Sequence, residues 1–232
     1  MDYRNRHVIV SGGTGALGSA LVKGLLDAGA ICHIPYIHPD ELKHFPFRGH
    51  DRVSLTALAT LADEAAVATF YEAVPSLWAS IHIAGGFAMA PIAATDKPAL
   101  MAQLEMNLVS CFLCCRAAVV AMRRSGGGRI VNVAARPALE PRSGAGMTAY
   151  TVSKAGVAAL TEALAQEVAG DGILVNAIAP SIMDTAANRR AMPDANHAAW
   201  PKLEEVAASI LFLASPENRV TRGAVVPVYG RS

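Results

Sequence analysis

Tyr150 and Lys154, in the stretch AYTVSKAG of this 232-residue sequence, stand at a spacing that suits proton transfer. Four positions apart in a helical stretch, they share one face. An ammonium beside a phenol favours the phenolate, so Lys154 is expected to lower the Tyr150 pKa toward a range useful near neutral pH. Such a pair also arises by chance, and a surface tyrosine and lysine would read the same way. A second chemical signal lies in SGGTGALGS, where Gly13, Gly15 and Gly18 give G-x-G-x-x-G between a strand pattern and a helix pattern. Glycines there let backbone approach a pyrophosphate, and the following helix N-terminus favours its charge.

The elements that must hold these residues alternate along the chain. Strand patterns are His7–Ser11, Ala30–Tyr36, Arg52–Leu55, Ala79–Ala84, Arg129–Ala134, Leu174–Ala179 and Ala224–Tyr229. Helical patterns lie between them: Leu17–Ala28, Asp63–Ala73, Leu100–Arg123, Ala149–Ala169 and Leu203–Ala214. Val157, Leu160, Leu164 and Val168 recur at helical spacing and predict a buried stripe. Alternation of this kind predicts an α/β fold, a doubly wound parallel sheet of seven strands with helices on both faces. No linker, repeat or low-complexity block divides the chain, so residues 1–232 are expected to form one domain. Gly126-Gly127-Gly128 reads as a turn before a strand.

Composition narrows the classes. Hydrophobic residues make up 53% and charged residues 17%, which argues against disorder. Twenty basic residues against nineteen acidic ones give a net charge of +1, without the basic excess of a nucleic-acid binder. The N-terminus enters a strand pattern at once, unlike a secretory signal. The most apolar helix, around Val109–Met122, reads as too short to span a bilayer and carries Arg116. A cytoplasmic protein without membrane partners is expected. The cysteines are Cys32, Cys111, Cys114 and Cys115. CFLCC superficially suggests a metal cluster, but no second ligand pair accompanies it, so no metal is expected. Small buried thiols in a reducing compartment are the simpler reading.

A NAD site usually carries an acidic residue at the end of the second strand, to bind the ribose hydroxyls. That end falls at Tyr36, Ile37 and His38, without a carboxylate; Asp40 and Glu41 come slightly late. Tyr36 could pack beside adenosine and His38 sit near a 2′-phosphate, or both could merely finish the strand. The cofactor is expected to be NAD(P), with a lean toward NADP because nothing acidic would repel its phosphate.

Taken together, the chain resembles the short-chain dehydrogenase/reductase family over essentially its whole length. The family's glycine segment TGxxxGxG stands as Ser11-Gly12-Gly13-Thr14-Gly15-Ala16-Leu17-Gly18, with alanine at the middle glycine. NNAG stands as His82-Ile83-Ala84-Gly85, followed by Gly86. Asn107, Tyr150 and Lys154 fall at the family's catalytic positions, and Pro180 and Thr185 where it closes over the nicotinamide. The resemblance implies that Tyr150 transfers the proton, that Lys154 lowers its pKa and holds the nicotinamide ribose, and that Asn107 supports a water-linked relay. It implies cofactor contacts at Gly12 through Gly18, at Tyr36, Ile37 and His38, at Leu61 beside adenine, at Ala84, Gly85 and Gly86, and at Pro180, Ile182 and Thr185. The family's adenine-binding aspartate falls near Thr60. A homodimer or homotetramer is implied too, with Leu100–Arg123 and Ala149–Ala169 at the interface and the CFLCC thiols as candidates to face a partner.

One departure bears on the substrate. The family's serine, which orients a substrate carbonyl, aligns with Ala135. Ser143 and Thr148 lie nearby, and structural roles suit them better. Dihydropteridine reductases also have alanine there, share GALGS and AGG followed by an aromatic, and resemble MDTAANRRAMPDANHAAW, Met183–Trp200, through Asp184, Thr185, Asn188, Arg189, Met192, Pro193, Ala195 and Trp200. Residues 186–201 are therefore expected to form a substrate lid, against the alternative of a helix-packing loop. A quinonoid ring or imine delocalises charge and needs less help from a donor at one oxygen. Ala135, Pro137, Met183, Met192 and Trp200 would form an apolar pocket for a flat ring. The expected function is hydride transfer between nicotinamide and a small carbonyl, imine or quinonoid acceptor. The alternative is a nucleotide-binding sensor or scaffold that lost turnover with the serine.

Overall fold

The computed structural model describes residues 1–232. Seven parallel strands form one sheet in the order β3-β2-β1-β4-β5-β6-β7. They are β1 (His7–Ser11), β2 (Ile31–Tyr36), β3 (Val53–Ala57), β4 (Leu77–His82), β5 (Gly128–Val133), β6 (Ile173–Pro180) and β7 (Val225–Val228). Helix α1 (Ala16–Asp27) and α2 (Glu64–Glu72) belong to the first half of the wind. Then come α3 (Lys97–Leu104), α4 (Ser110–Ser125), the short α5 (Arg136–Leu139), α6 (Thr148–Glu167), α7 (Ala186–Ala191) and α8 (Leu203–Ala214). Every strand and long helix expected from periodicity is present, with ends shifted by a few residues.

Apolar clusters cover both faces of the sheet. On one face 22 buried residues join α2, α4 and α6 to the strands; on the other 21 join α1 and α8. Leu17, Leu21, Val22 and Leu25 form the buried stripe of α1. Each such side chain contributes about 1.5–3 kcal/mol relative to exposure. Val157 and Val168 of the α6 stripe are fully buried, with Leu160 and Leu164 packed at its edge. Asp63 starts α2 by accepting hydrogen bonds from the Ala65 and Ala66 amides, and Gly126, at φ 81°, ends α4.

Two expectations need correction. The apolar helix is longer than Val109–Met122: α3 and α4 run continuously from Lys97 to Ser125, 29 residues, long and apolar enough to cross a membrane by those criteria alone. In this fold one side of it packs on the sheet, with Gln103, Asn107 and Ser110 buried among hydrogen-bond partners. Of the two readings of the CFLCC thiols, burial holds and the partner-facing one does not. Cys111, Cys114 and Cys115 point into the subunit's own core, at most 5% exposed. The outer face of α4 carries Phe112 and Val120 instead.

The strand order reverses between β1 and β4. Their carboxyl ends diverge into separate connections there, which opens a crevice for ligands. β1, β4, β5 and β6 all deliver their C-terminal residues to that edge, as do the N-terminus of α1 and the first turns of α6.

Candidate functional site

A cavity of about 730 Å³ lies at this crevice. It is lined by the β1–α1 turn at Gly12, Thr14, Gly15, Ala16, Leu17 and Gly18, by Tyr36 and Ile37 after β2, by Leu61, and by Ala84 and Gly85 after β4. Eleven of the expected cofactor contacts therefore share one cavity. Gly13 sits beneath the turn against Ile34, and His38, Gly86, Tyr150, Lys154, Pro180, Ile182 and Thr185 are outside this lining. A separate cavity of about 470 Å³ opens beside Arg6, Trp78 and Arg129, around the residues that precede β4 and β5, and takes no part in the site.

Two glycines make the turn possible. Gly12 has φ +71°, and a Cβ there would lie 2.7 Å from the Ala84 amide nitrogen. A Cβ on Gly18 would lie 2.1 Å from the Gly12 carbonyl oxygen. Side chains at these positions would force the turn away from β4 and from the start of α1; held tight, the turn and the α1 N-terminus fit a dinucleotide pyrophosphate. Gly18→Ala is expected to cost about 3 kcal/mol of stability through this backbone clash and to weaken dinucleotide binding. Denaturant unfolding and cofactor titration of the variant check both effects.

The end of β2 differs from the sequence expectation. Asp40 and Glu41 both line the cavity. Glu41 turns back, accepting the Thr14 hydroxyl at 2.5 Å and the His38 and Ile37 amides at 2.9 and 3.2 Å. Burial opposes its charge, but these hydrogen bonds outweigh burial and hold its pKa below the usual carboxylate range. The reason for leaning toward NADP, that nothing acidic stands there, is therefore corrected. A short helical turn, Pro39–Lys43, brings the late carboxylate back to the strand end.

Further along the crevice, the Lys154 ammonium donates to the Val133 carbonyl at 2.8 Å, tying α6 to β5 two residues before Ala135. Burial lowers the Lys154 pKa to about 8, while the nearby Cys111 thiol opposes that shift. Burial also pushes Tyr150 up to about 12. The expected lowering of the phenol by Lys154 is not realised in this arrangement, because the ammonium is turned to the backbone. The Tyr150 ring packs edge-on against Phe87, with centroids 5.0 Å apart. Its hydroxyl bonds to no protein group, and no buried polar atom lacks a partner, so the hydroxyl reaches open space.

Asn107 lies in a single π-turn, Glu105–Val109, between α3 and α4. Its side-chain oxygen accepts the Gly86 amide at 2.9 Å, and its nitrogen donates to the Gly86 carbonyl at 3.0 Å and to Ser153 at 3.1 Å. Asn107 thus clamps the loop after β4 to α6, three residues beyond Tyr150.

Ala134 and Ala135 are buried. Ser143 is exposed and donates to the Glu140 carbonyl at 2.8 Å, and Ser153 donates to the Tyr150 carbonyl at 2.7 Å. The five residues expected around the substrate do not line the large cavity. Met183 packs on the α1–α8 face, and Trp200 is buried against His197 at 4.6 Å between centroids. Ala135 and Pro137 begin α5, and Met192 ends α7, with its carbonyl 2.7 Å from His197 Nε2.

The segment that follows β6 is internally bonded. Thr185 caps α7 by accepting the Asn188 amide at 3.0 Å, Asn188 donates to the Met183 carbonyl at 2.8 Å, and Arg189 pairs with Asp184 at 2.5 Å. The residues that carried the lid resemblance build the segment's own shape. Thr60 likewise serves its own turn, accepting the Ala62 amide at 3.1 Å.

The family profile described as short chain dehydrogenase matches residues 6–196. The chain belongs to the short-chain dehydrogenase family. As a member it is an oxidoreductase of the nicotinamide-dependent kind. Galactitol 2-dehydrogenase from Rhizobium johnstonii is 32% identical over 95% of this chain and 92% of its own. Cis-4-hydroxycyclohexanecarboxylate dehydrogenase from Sinomonas cyclohexanicum is 30% identical over 98% and 96%. Among solved structures, a short-chain oxidoreductase from Pseudomonas aeruginosa, described as containing an atypical catalytic centre, superposes with a TM-score of 0.89 at 25% identity. That match covers 99% of this dehydrogenase and 98% of the other chain.

Sequence reasoning missed Asp40, Glu41, His44, Thr60 and Ala62 as cavity lining. It also missed His82, which meets the CFLCC thiols in the core. Glu41 was legible as a carboxylate just past the strand; the turn that returns it was not.

Proposed function

We propose that this short-chain dehydrogenase moves hydride between nicotinamide and a flat conjugated acceptor, an imine or quinonoid ring of the dihydropterin kind. The observation that carries this reading is a Tyr150 hydroxyl without a protein partner, with a buried Ala135 at the family's serine position and Ser143 turned to the Glu140 carbonyl. A ketone needs a donor at its oxygen as charge develops, and losing one placed donor costs about 3 kcal/mol. A conjugated acceptor spreads that charge and relies less on a point donor.

The bound dinucleotide supplies or takes the hydride. The chain's residues do the rest. The β1–α1 turn holds the pyrophosphate with backbone amides, Ala84 and Gly85 give it a flat wall, and Lys154 presents its ammonium to the nicotinamide ribose. Tyr150, protonated at neutral pH, donates to the reduced atom. Asn107 is a positioning residue that fixes Gly86 against α6. Residues 186–201, the segment around α7, close over the acceptor as a lid, with Met183, Met192 and Trp200 on its apolar side, next to Ala135 and Pro137. Thr185, Pro180 and Ile182 border the nicotinamide. Residues 1–232 work as one domain, and copies associate through the outer faces of α4 and α6, where Phe112, Val120 and Val152 are exposed. The four free cysteines suit a reducing cytoplasm.

For the cofactor, the Glu41 carboxylate favours NADH over NADPH, in place of the lean drawn from the sequence. A negative group in this part of the cavity accepts ribose hydroxyls and repels a 2′-phosphate. With solvent screening the repulsion is worth about 1–2 kcal/mol, roughly tenfold in binding. Glu41→Gln is expected to lower the NADH-to-NADPH ratio of kcat/KM by about tenfold. An unchanged ratio in the two-cofactor assay contradicts the assignment.

Ala135→Ser tests the acceptor. It is expected to raise ketone reduction by at least about tenfold, since a single placed donor in such sites is worth up to 10²–10³. Steady-state rates on a ketone panel check this, and no change removes Ala135 from the substrate.

A further inference from the structure

We propose that His82, Cys111, Cys115 and Asn132 form a buried zinc site between the sheet and α4. His82 ends β4 and Asn132 lies beside it on β5, in direct register. Cys111 and Cys115 are one turn apart on α4, so both thiols meet that strand pair. All four residues are at most 5% exposed. Their ligand atoms converge: His82 Nδ1 is 2.8 Å from Asn132 Oδ1, and each sulfur is 3.4 Å from the same oxygen. Cys115 and Cys111 Sγ lie 3.5 and 4.0 Å from His82 Nδ1. Ligand bonds of about 2.0–2.3 Å around tetrahedral zinc put neighbouring donor atoms about 3.3–3.8 Å apart. The cluster needs only small adjustments to reach that shape.

The surroundings fix which atoms face inward. Thr161 donates its hydroxyl to the Val157 carbonyl, so its oxygen must accept from Asn132 Nδ2, which turns Asn132 Oδ1 toward the cysteines. Without a cation, three donors, the imidazole and both thiols, crowd one amide oxygen with two lone pairs. On the far side of the ring, His82 Nε2 lies 2.8 Å from Ser80 Oγ and 3.3 Å from the Tyr71 hydroxyl. Those oxygens accept an Nε2 proton, which leaves Nδ1 free to bind metal, the usual outer support of a ligating histidine. Binding releases both thiol protons and moves the imidazole proton from Nδ1 to Nε2, with no change in oxidation state. Two thiolates neutralise a divalent cation, which a low-dielectric core requires.

The test uses the intact chain, reduced and equilibrated with Zn²⁺ or with Co²⁺. After buffer exchange, zinc is expected at about one per chain, with a melting temperature about 5 °C higher than in chelator-treated protein. The Co²⁺ form is expected to show thiolate-to-metal charge-transfer absorption and the strong visible bands of tetrahedral cobalt. The Cys111→Ser/Cys115→Ser double variant is expected to lose all three signals, although Cys32 and Cys114 remain. If the double variant does not fold, His82→Asn serves instead and is expected to weaken zinc binding at least about tenfold. Zinc at the buffer level with a cobalt spectrum of the hydrated ion overturns the proposal. Thiolate absorption that persists in a folded double variant overturns it as well.

Discussion

Tyr150→Phe is expected to lower kcat/KM for reduction by about 10³, within the usual range for losing a positioned proton donor, while the cofactor dissociation constant stays within about threefold. The structure separates the two effects. The phenyl ring keeps its edge-on contact with Phe87, and the lost hydroxyl leaves no protein group without a partner, since it had none. The fold should therefore survive, and the melting temperature should move by no more than a few degrees. Rates with NADH and a saturating acceptor, beside a cofactor titration, check both parts. A rate loss under tenfold would mean that water reaches the acceptor and that Tyr150 does not supply the proton.

Lys154→Met is expected to lower activity by at least about 10² without lowering the melting temperature at pH 7. The two expectations come from one fact. Burial lowers the Lys154 pKa to about 8 from its ordinary 10.5. The folded protein thus binds this proton less tightly than the unfolded chain does, so the buried ammonium weakens the fold below pH 8. Between pH 8 and 10.5 the unfolded state holds more protons, and stability rises with pH through that window. Methionine removes the charge and fills similar volume, leaving only the Val133 carbonyl to find another partner. On the proposed mechanism the Lys154 ammonium is lost as pH rises through about 8, and reduction should decline there. Thermal melts of both proteins from pH 7 to 10, beside kcat/KM profiles, check the account. A large drop in melting temperature at pH 7 with activity retained would reverse it.

Much of the frame was legible in the sequence because it rests on periodicity. Seven strand patterns alternated with helical ones, and all seven lie in the parallel sheet. The glycine turn was legible because Gly12 and Gly18 occupy places where a Cβ would strike backbone. Glu41 was misread because strand-end counting assumes an extended chain, whereas a short helical turn brings its carboxylate back to Thr14. His82 was missed because a histidine on β4 and two cysteines on α4 are far apart in sequence, and only helix-on-sheet packing makes them neighbours. The helix was legible as Leu100–Arg123, but its most apolar part was placed only at Val109–Met122, because polar Gln103 and Asn107 dilute the pattern before it. Both are buried and bonded; Gln103 lies in the last turn of α3 and Asn107 in the π-turn that joins it to α4.

The proposed function has Tyr150 and Ala135 serve a flat conjugated acceptor better than a simple ketone. Consumption of NADH by the wild-type enzyme, followed by its absorbance with quinonoid dihydropterin and with a panel of cyclic and aliphatic ketones, tests this most directly. The prediction is a kcat/KM for the quinonoid ring at least about a hundredfold above that for any ketone. Faster reduction of a ketone, or bound NADH that reduces neither class, would contradict it.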